Sequence, residues 1–362
     1  MFVIGGGPAG LAAALAARQQ GFRVMVADGA KPPIDKACGE VLMPDATAAL
    51  KKLGVELPHD SCSLRGVRFL ASGLSAEAAF PSDCVGVSVR RTELHRILVE
   101  RARELGIELL WQSAVTGISD AGVRFDHRDV RAAWVIGADG SNSRVRQWAG
   151  LKTGTRTKLR YAFRRHYRIA PWTDRMEIYW GKHSQAYATA VSRDEVCVAA
   201  ASANPHLRLE EAVSEFPELS ARLRGAAATS TERGAVSANC RLRRVWKNNI
   251  ALIGDASGTV DAITGEGLDL AFSQALALGS CLKKGSLAGY QAAHRSLALR
   301  PSVMARLMLT LDGRPRLQRR TLQVLRRRPE IFRRLLALHV GRLSPIWLAA
   351  DGLTLGWGLL TT

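Results

Sequence analysis

The stretch Phe2-Val3-Ile4-Gly5-Gly6-Gly7-Pro8-Ala9-Gly10-Leu11 decides how the chain is read. Phe2 to Ile4 is a short apolar strand and Gly5 to Gly10 a glycine turn. An alanine-rich helix then runs from Leu11 to about Gln20, where Gly21 stands at the stop position. Phe22 to Ala27 is a second apolar strand, so the first thirty residues make a β-α-β unit. A bound phosphate needs close backbone approach and the positive end of a helix. Gly5 permits the tight turn, Gly7 lets the chain reach a pyrophosphate, and Gly10 allows helix and strand to pack closely. Asp28 closes the second strand, where an acid binds ribose hydroxyls. This context points to dinucleotide binding rather than to glycines that serve only a turn.

Two later segments repeat the theme. Val135-Ile136-Gly137-Ala138-Asp139-Gly140-Ser141-Asn142-Ser143-Arg144 runs an apolar strand into Asp-Gly and a helix start. After a buried strand ending at Ile253 come Gly254-Asp255-Ala256-Ser257-Gly258, then Asp261 and Thr264-Gly265-Glu266-Gly267. An acid directly after a buried strand suits a ribityl or ribose hydroxyl. A glycine-rich helix start suits a group that gains negative charge, because the helix dipole favours it.

In this order and at these distances the three segments resemble the FAD-binding signatures of the p-hydroxybenzoate hydroxylase fold, which holds aromatic monooxygenases and geranylgeranyl reductase-like flavoproteins. The resemblance implies FAD as cofactor, with its pyrophosphate on Gly5, Gly7 and Gly10 and its adenosine ribose on Asp28. It puts Asp139 at the shared Asp-Gly position, Gly254 and Asp255 on the ribityl-phosphate portion, and Gly265, Glu266 and Gly267 beside the isoalloxazine. Arg90 or Arg91, Lys36 and Val115 are further positions implied near the cofactor. Lys36-Ala37-Cys38-Gly39-Glu40 is similar to the Lys-x-Cys-Gly segment of the reductase-like branch. The expected architecture is α/β: a Rossmann-like FAD-binding domain of the glutathione reductase type, an antiparallel β-sheet substrate domain and a C-terminal helical region. The expected divisions are 1–65, 84–155 and 236–299 for the discontinuous FAD-binding domain, 66–83 and 156–235 for the substrate domain, and 300–362 for a basic helical region.

Two reactions follow from that resemblance, and a single dinucleotide loop leaves NADPH or NADH only a transient place as reductant. The leading expectation is a monooxygenase acting on a hydrophobic aromatic or polyketide-like molecule. A reductase of carbon-carbon double bonds in an isoprenoid or other lipid-like substrate is the alternative, and a membrane-surface electron carrier the third. The prenyl-pocket motif of geranylgeranyl reductases is not seen at Gln185 to Val191, and the Trp-x-Trp-x-Ile-Pro pattern of flavin halogenases is missing near Pro171-Trp172. Phenol hydroxylation benefits from a group that removes a proton. Tyr161, His166, His183 and Tyr187, on predicted antiparallel strands, are candidates, with ordinary structural roles as the alternative. Cys38 is a candidate proton donor or substrate contact, or else an inert buried thiol. His59, His95, His127, His206, His294 and His339 are scattered and read as incidental. No metal-ligand spacing stands out.

Composition sets the outer limits. Forty-seven per cent hydrophobic and 23% charged residues exclude wholesale disorder. Six scattered cysteines without a C-x-x-C pair read as reduced thiols. With neither a leader nor an uninterrupted transmembrane stretch, a cytoplasmic protein is expected. Lys+Arg 51 against Asp+Glu 32 gives a net charge of +19. Twelve arginines between Arg300 and Arg342, against Asp312 and Glu330, supply 12 − 2 = +10 of it. Alternating with Leu322, Leu325, Ile331, Phe332, Leu335 and Leu336, and followed by apolar residues 346–360, they suit an anionic membrane surface. The alternative is helices packed on the cofactor domain with arginines in water. Nucleic acid is not expected, because no recognised motif accompanies the charge.

Overall fold

The computed structural model describes residues 1–343 apart from 120, 126, 127, 152, 157 and 158; His127 and the apolar run 346–360 therefore lie outside the described residues. The chain enters on β1 (Phe2–Ile4) and crosses through α1 (Pro8–Gln19) to β2 (Met25–Asp28). It then leaves for a second sheet through β3 (Gly66–Ala71) and β4 (Leu74–Ala79). It returns by α2 (Arg91–Glu104) to β5 (Glu108–Trp111) and later to β6 (Val135–Gly137). A long excursion follows through β7 (Arg160–Arg168), β8 (Arg175–Trp180), β9 (Ser184–Ser192) and β10 (Glu195–Ser202). β11 (Trp246–Lys247) and β12 (Ile250–Leu252) rejoin the first sheet. Four helices finish the described chain: α3 (Gly267–Lys283), α4 (Tyr290–Leu311), α5 (Pro315–Arg327) and α6 (Pro329–His339).

The first sheet has the order β11-β12-β6-β1-β2-β5, parallel throughout except for the β11–β12 hairpin. Its strands are apolar on both faces because helices cover both, and Phe2, Val3, Val135, Ile136, Ala251 and Leu252 are completely buried. α1 is short of polar residues for the same reason: Leu11 to Ala17 are all buried beneath α2 and α3. The carboxyl ends of β1, β6 and β12 therefore open on one edge, where the three glycine-bearing segments follow.

The second sheet is antiparallel apart from one pair. Its main path runs from Ala227–Ala228 through β7, β10, β9, β8 and β3 to β4, with β3 and β8 parallel. Residues 66–79 and 160–202 thus share one sheet although separated in sequence. One face buries Leu209, Val213, Phe216 and Leu219 from two short helices. The other face carries Val67, Phe69, Met176, Ile178 and Trp180 against α4, α5 and α6. Phe69 stacks on Trp180 with centroids 4.4 Å apart and meets Phe332 of α6 at 5.5 Å.

The arginine-rich helices are therefore packed elements of the fold. In α5, Leu322, Val324 and Leu325 are buried, while Arg316, Arg319, Arg320, Arg326 and Arg327 are exposed. Each buried leucine is worth about 1.5–3 kcal/mol, and arginines left in water sacrifice nothing, so the amphipathic pattern specifies this packing. The expected division at 299/300 falls inside α4, which continues through a buried Pro301. No helix among the described residues is long and apolar enough to cross a membrane.

Candidate active site

The glycine loop is held by contacts that leave no room for a side chain at Gly5 or Gly10. Gly5 has φ +110°, and a Cβ on Gly10 would stand 1.8 Å from the Gly5 carbonyl oxygen. A Cβ on Gly7 would meet nothing within 4 Å, since that residue faces open space at the start of α1. The space is a cleft of about 550 Å³. Gly5, Gly7, Asp28, Lys36, Val115, Asp139, Gly254, Asp255, Gly265 and Gly267 line it together, so residues from all the sequence segments meet in one place. Gly10 sits behind the loop and sets the approach of α1.

Two carboxylates shape the backbone as well as the cleft. Asp28 accepts hydrogen bonds from the Gly6 N–H at 2.6 Å and the Ala30 N–H at 2.8 Å, and each oxygen keeps a lone pair for a ribose hydroxyl. Asp139 accepts from Ser143 Oγ at 2.6 Å and the Arg144 N–H at 2.7 Å, which caps the short helix 144–148. Lys36 and Asp255 form a 2.8 Å ion pair, with side chains 43% and 36% exposed. An exposed pair of this kind contributes about 0–1 kcal/mol, so a phosphate-bearing ligand can replace it at little cost.

The structure separates neighbours that sequence reading left together. Arg91 lines the cleft, whereas Arg90 turns to the second sheet, where Arg90 Nε donates to Glu195 Oε2 at 2.5 Å. Glu266, expected beside the isoalloxazine, is 3% exposed and points under α3, 3.6 Å from His339 Nδ1 and 4.0 Å from Arg300 Nε. Burial pushes its carboxyl up to about 7. Two histidines read as incidental have places here. His95 Nε2 lies 2.8 Å from the Gly6 carbonyl and supports the glycine loop. His339 reaches Glu266 from the C-terminal end of α6. Burial lowers the pKa of both, keeping the rings neutral.

Residues 1–287 match the model of a family described as the FAD binding domain. The chain belongs to that family. The cleft fits the cofactor: a bare backbone at Gly7, a helix N-terminus and an acid at the end of β2 meet where a dinucleotide needs them. The protein is thus an FAD-dependent oxidoreductase of the p-hydroxybenzoate hydroxylase fold. It is 29% identical to the menaquinone reductase of Mycolicibacterium smegmatis over 328 residues, covering 82% of this chain and 79% of that protein. It is also 29% identical to 6-methylpretetramide 4-monooxygenase of Streptomyces rimosus over 318 residues, covering 78% and 75%. A geranylgeranyl bacteriochlorophyll reductase-like protein of Thermoplasma acidophilum superposes with a TM-score of 0.76 at 19% identity, covering 96% of this chain and 97% of that one.

In this FAD-binding protein the catalytic candidates divide sharply. Cys38 lines the cleft, half-buried, and its Sγ accepts the Glu40 N–H at 3.3 Å. His166 is 2% exposed and lies behind the cleft, 2.6 Å from Glu40 Oε2. Tyr187 is buried with its hydroxyl donating to Gln185 Oε1 at 3.1 Å, and burial pushes its pKa further up, which removes it as a base near neutrality. Tyr161 lines neither the cleft nor the apolar cavity described next, and His183 is exposed beside Glu215.

An apolar cavity of about 160 Å³ lies between the second sheet and α4, α5 and α6; sequence reading places an apolar pocket on the antiparallel insert but misses its helical walls. Met43, Phe69, Trp180, Met304, Met308 and Phe332 are among its walls. Ile263 and Thr264, the residues just before the Gly265 turn, line its inner end. Met176 lines both spaces, so cavity and cofactor cleft share a wall.

Proposed function

We propose that this FAD-dependent oxidoreductase reduces a carbon-carbon double bond in an isoprenoid-bearing lipid, with a polyprenylated quinone as the first substrate to test. The observation that carries the reading is the apolar cavity that adjoins the cofactor cleft at Met176, with its wall residue Thr264 next in sequence to Gly265 of the cleft. Among the described residues the cavity's polar lining groups are three threonines, the Trp180 indole N–H and His339, whose pKa burial lowers to about 4. Such a lining takes up a hydrocarbon chain, and His339 is a poor base for a phenol. The relatives named menaquinone reductase support the choice of quinone.

When bound, FAD supplies two-electron transfer, with NADPH or NADH proposed as the transient source. The protein's own work is then threefold. Gly5, Gly7, Asp28, Lys36 and Asp255 would hold the cofactor. The cavity walls would hold the chain and exclude water. Cys38, the one candidate acid with a thiol in the cleft, would face the reacting carbons. Anaerobic incubation of the holoenzyme with NADPH and a menaquinone, followed by air reoxidation of any quinol, should give a quinone two hydrogens heavier by mass spectrometry; an unchanged quinone counts against the reading.

A second reading is oxygen insertion into a hydrophobic aromatic molecule, favoured by the equally similar relative named a 6-methylpretetramide 4-monooxygenase. Incorporation of labelled oxygen from O₂ would select it.

We also infer that α5 and α6 present the cavity to an anionic bilayer. Arg314, Arg316, Arg319, Arg326, Arg327, Arg328 and Arg333 are exposed on the helices that roof it, and each basic residue near such a surface is worth about 1 kcal/mol. Binding to phosphatidylglycerol vesicles should fall steeply with salt. Absence of binding at low ionic strength would remove the membrane from the proposal.

A further inference from the structure

Behind the cleft lies a buried polar chain that cofactor binding does not use. Glu40 lines the cleft but is 3% exposed, and it adopts φ +60°, an unfavourable conformation for a residue with a Cβ. Strain of this kind is kept where the neighbours over-determine it. Here they do. Glu40 Oε1 accepts the Arg91 N–H at 3.1 Å, and Oε2 lies 2.6 Å from His166 Nε2.

The tautomer of His166 follows from its other side. Nδ1 lies 3.3 Å from Arg164 Nη1, which can only donate, so Nδ1 is an acceptor and the ring proton is on Nε2, pointing at Glu40. Ser230 Oγ is 2.8 Å from the same Nδ1 and accepts the His166 backbone N–H at 3.1 Å, so its own proton is free to face the ring. Ser230 is half-buried and reaches the protein surface. Other charges frame the chain. Arg164 is committed to Asp35 and stays 3.7 Å from Glu40, Arg233 holds Asp35 at 3.3 Å, and Arg90 is paired with Glu195. The buried Cys197 thiol, pushed well up by burial, donates weakly to the Cys38 carbonyl at 3.8 Å. Arg164 pairs with Asp35 and, at longer range, with Glu40, and the imidazole of His166 stands between the carboxylate that lines the cleft and the hydroxyl of half-buried Ser230.

We propose that Ser230, His166 and Glu40 form a proton path from solvent to the cofactor cleft. In one transfer the Ser230 O–H proton moves to His166 Nδ1, the Nε2 proton moves to Glu40 Oε2, and a water molecule reprotonates Ser230, leaving hydroxide in the solvent. Each bond to hydrogen that breaks is replaced by another, and no electrons are exchanged. The use of the delivered proton rests on the proposed alkene reduction, in which one carbon receives hydride and the other a proton. The path itself does not depend on that reading.

The test uses holoenzyme without substrate. Two-electron photoreduction of bound flavin with a deazaflavin sensitiser draws in a proton, which a pH-indicator dye times. His166→Asn and Glu40→Gln should slow uptake at least tenfold with FAD content unchanged, and Ser230→Ala should slow it severalfold. Added formate should restore the rate in Glu40→Ala. Unchanged uptake in His166→Asn, which leaves Glu40 in place, overturns the path even if Glu40 variants fail to fold. Normal uptake in wild type combined with an unreduced quinone would defeat the alkene reading and leave the path standing.

Discussion

The cofactor cleft and the apolar cavity meet at Met176, yet they are built by opposite means. The cleft is a backbone device: its shape depends on what is missing at Gly5, Gly7 and Gly10, and on carboxylates that fasten turns. The cavity is a side-chain device, assembled from two strands of one sheet and three helices, with no residue that geometry forces to be of one type. Substitution in the cleft should therefore act through steric exclusion and cofactor loss. Substitution in the cavity should act through packing and substrate choice.

The largest expected effect is at Gly10. A valine there places Cβ within 1.8 Å of the Gly5 carbonyl oxygen, so Gly10→Val should cost about 3 kcal/mol or more and abolish FAD retention. A yellow, stable variant would break the contrast. Next is Phe332→Ala, which removes a 4% exposed ring from the cavity and should cost about 3–5 kcal/mol in denaturant unfolding while leaving FAD stoichiometry at wild-type level. Loss of FAD in that variant would mean that the two regions are one unit.

Glu266 sits at the junction and gives a test with a definite sign. Its folded carboxyl titrates at about 7 against an ordinary value of 4.5. The folded state thus holds the proton more tightly, and the resulting stability is complete at acid pH and lost as pH rises through 7. The wild type should lose about 2–3 kcal/mol between pH 5 and pH 8 from this group. Glu266→Gln should flatten that part of the profile, measured by urea unfolding across the range. The smallest effect is at Lys36→Ala: removal of an exposed ion pair should change stability by less than about 1 kcal/mol and weaken FAD binding severalfold, read by fluorescence titration.

The same contrast explains what could be read from sequence. The glycine segments were legible because the turns they make exclude other residues. The second sheet was legible too: the predicted antiparallel strands that carry Tyr161, His166 and Tyr187 are present as β7 and β9. Side-chain direction was not. Arg90 and Arg91 are adjacent at a helix start, and only the position of Glu195 decides that one turns to the sheet and the other to the cleft. Glu266 lies between two glycines that face the cofactor space, yet Arg300 and His339 from distant helices draw it the other way. His166 was singled out from its strand, but its partner Glu40 lies 126 residues earlier, and only its place next to Cys38-Gly39 hinted at a role.

The parallel pairing of β3 with β8 has a consequence for how the chain comes into being. Arg175 to Tyr179 pair with Gly66 to Leu70, so the second sheet cannot close until more than a hundred further residues have been synthesised. Until then β3 and β4 are a hairpin with an unpaired apolar edge, and the helices α5 and α6 that pack on it are not yet made either. A fragment holding only residues 156–235 would carry that exposed edge on β8 instead. The second sheet is therefore no removable cassette: it is exchanged between proteins, or expressed by itself, only if the early hairpin travels with it.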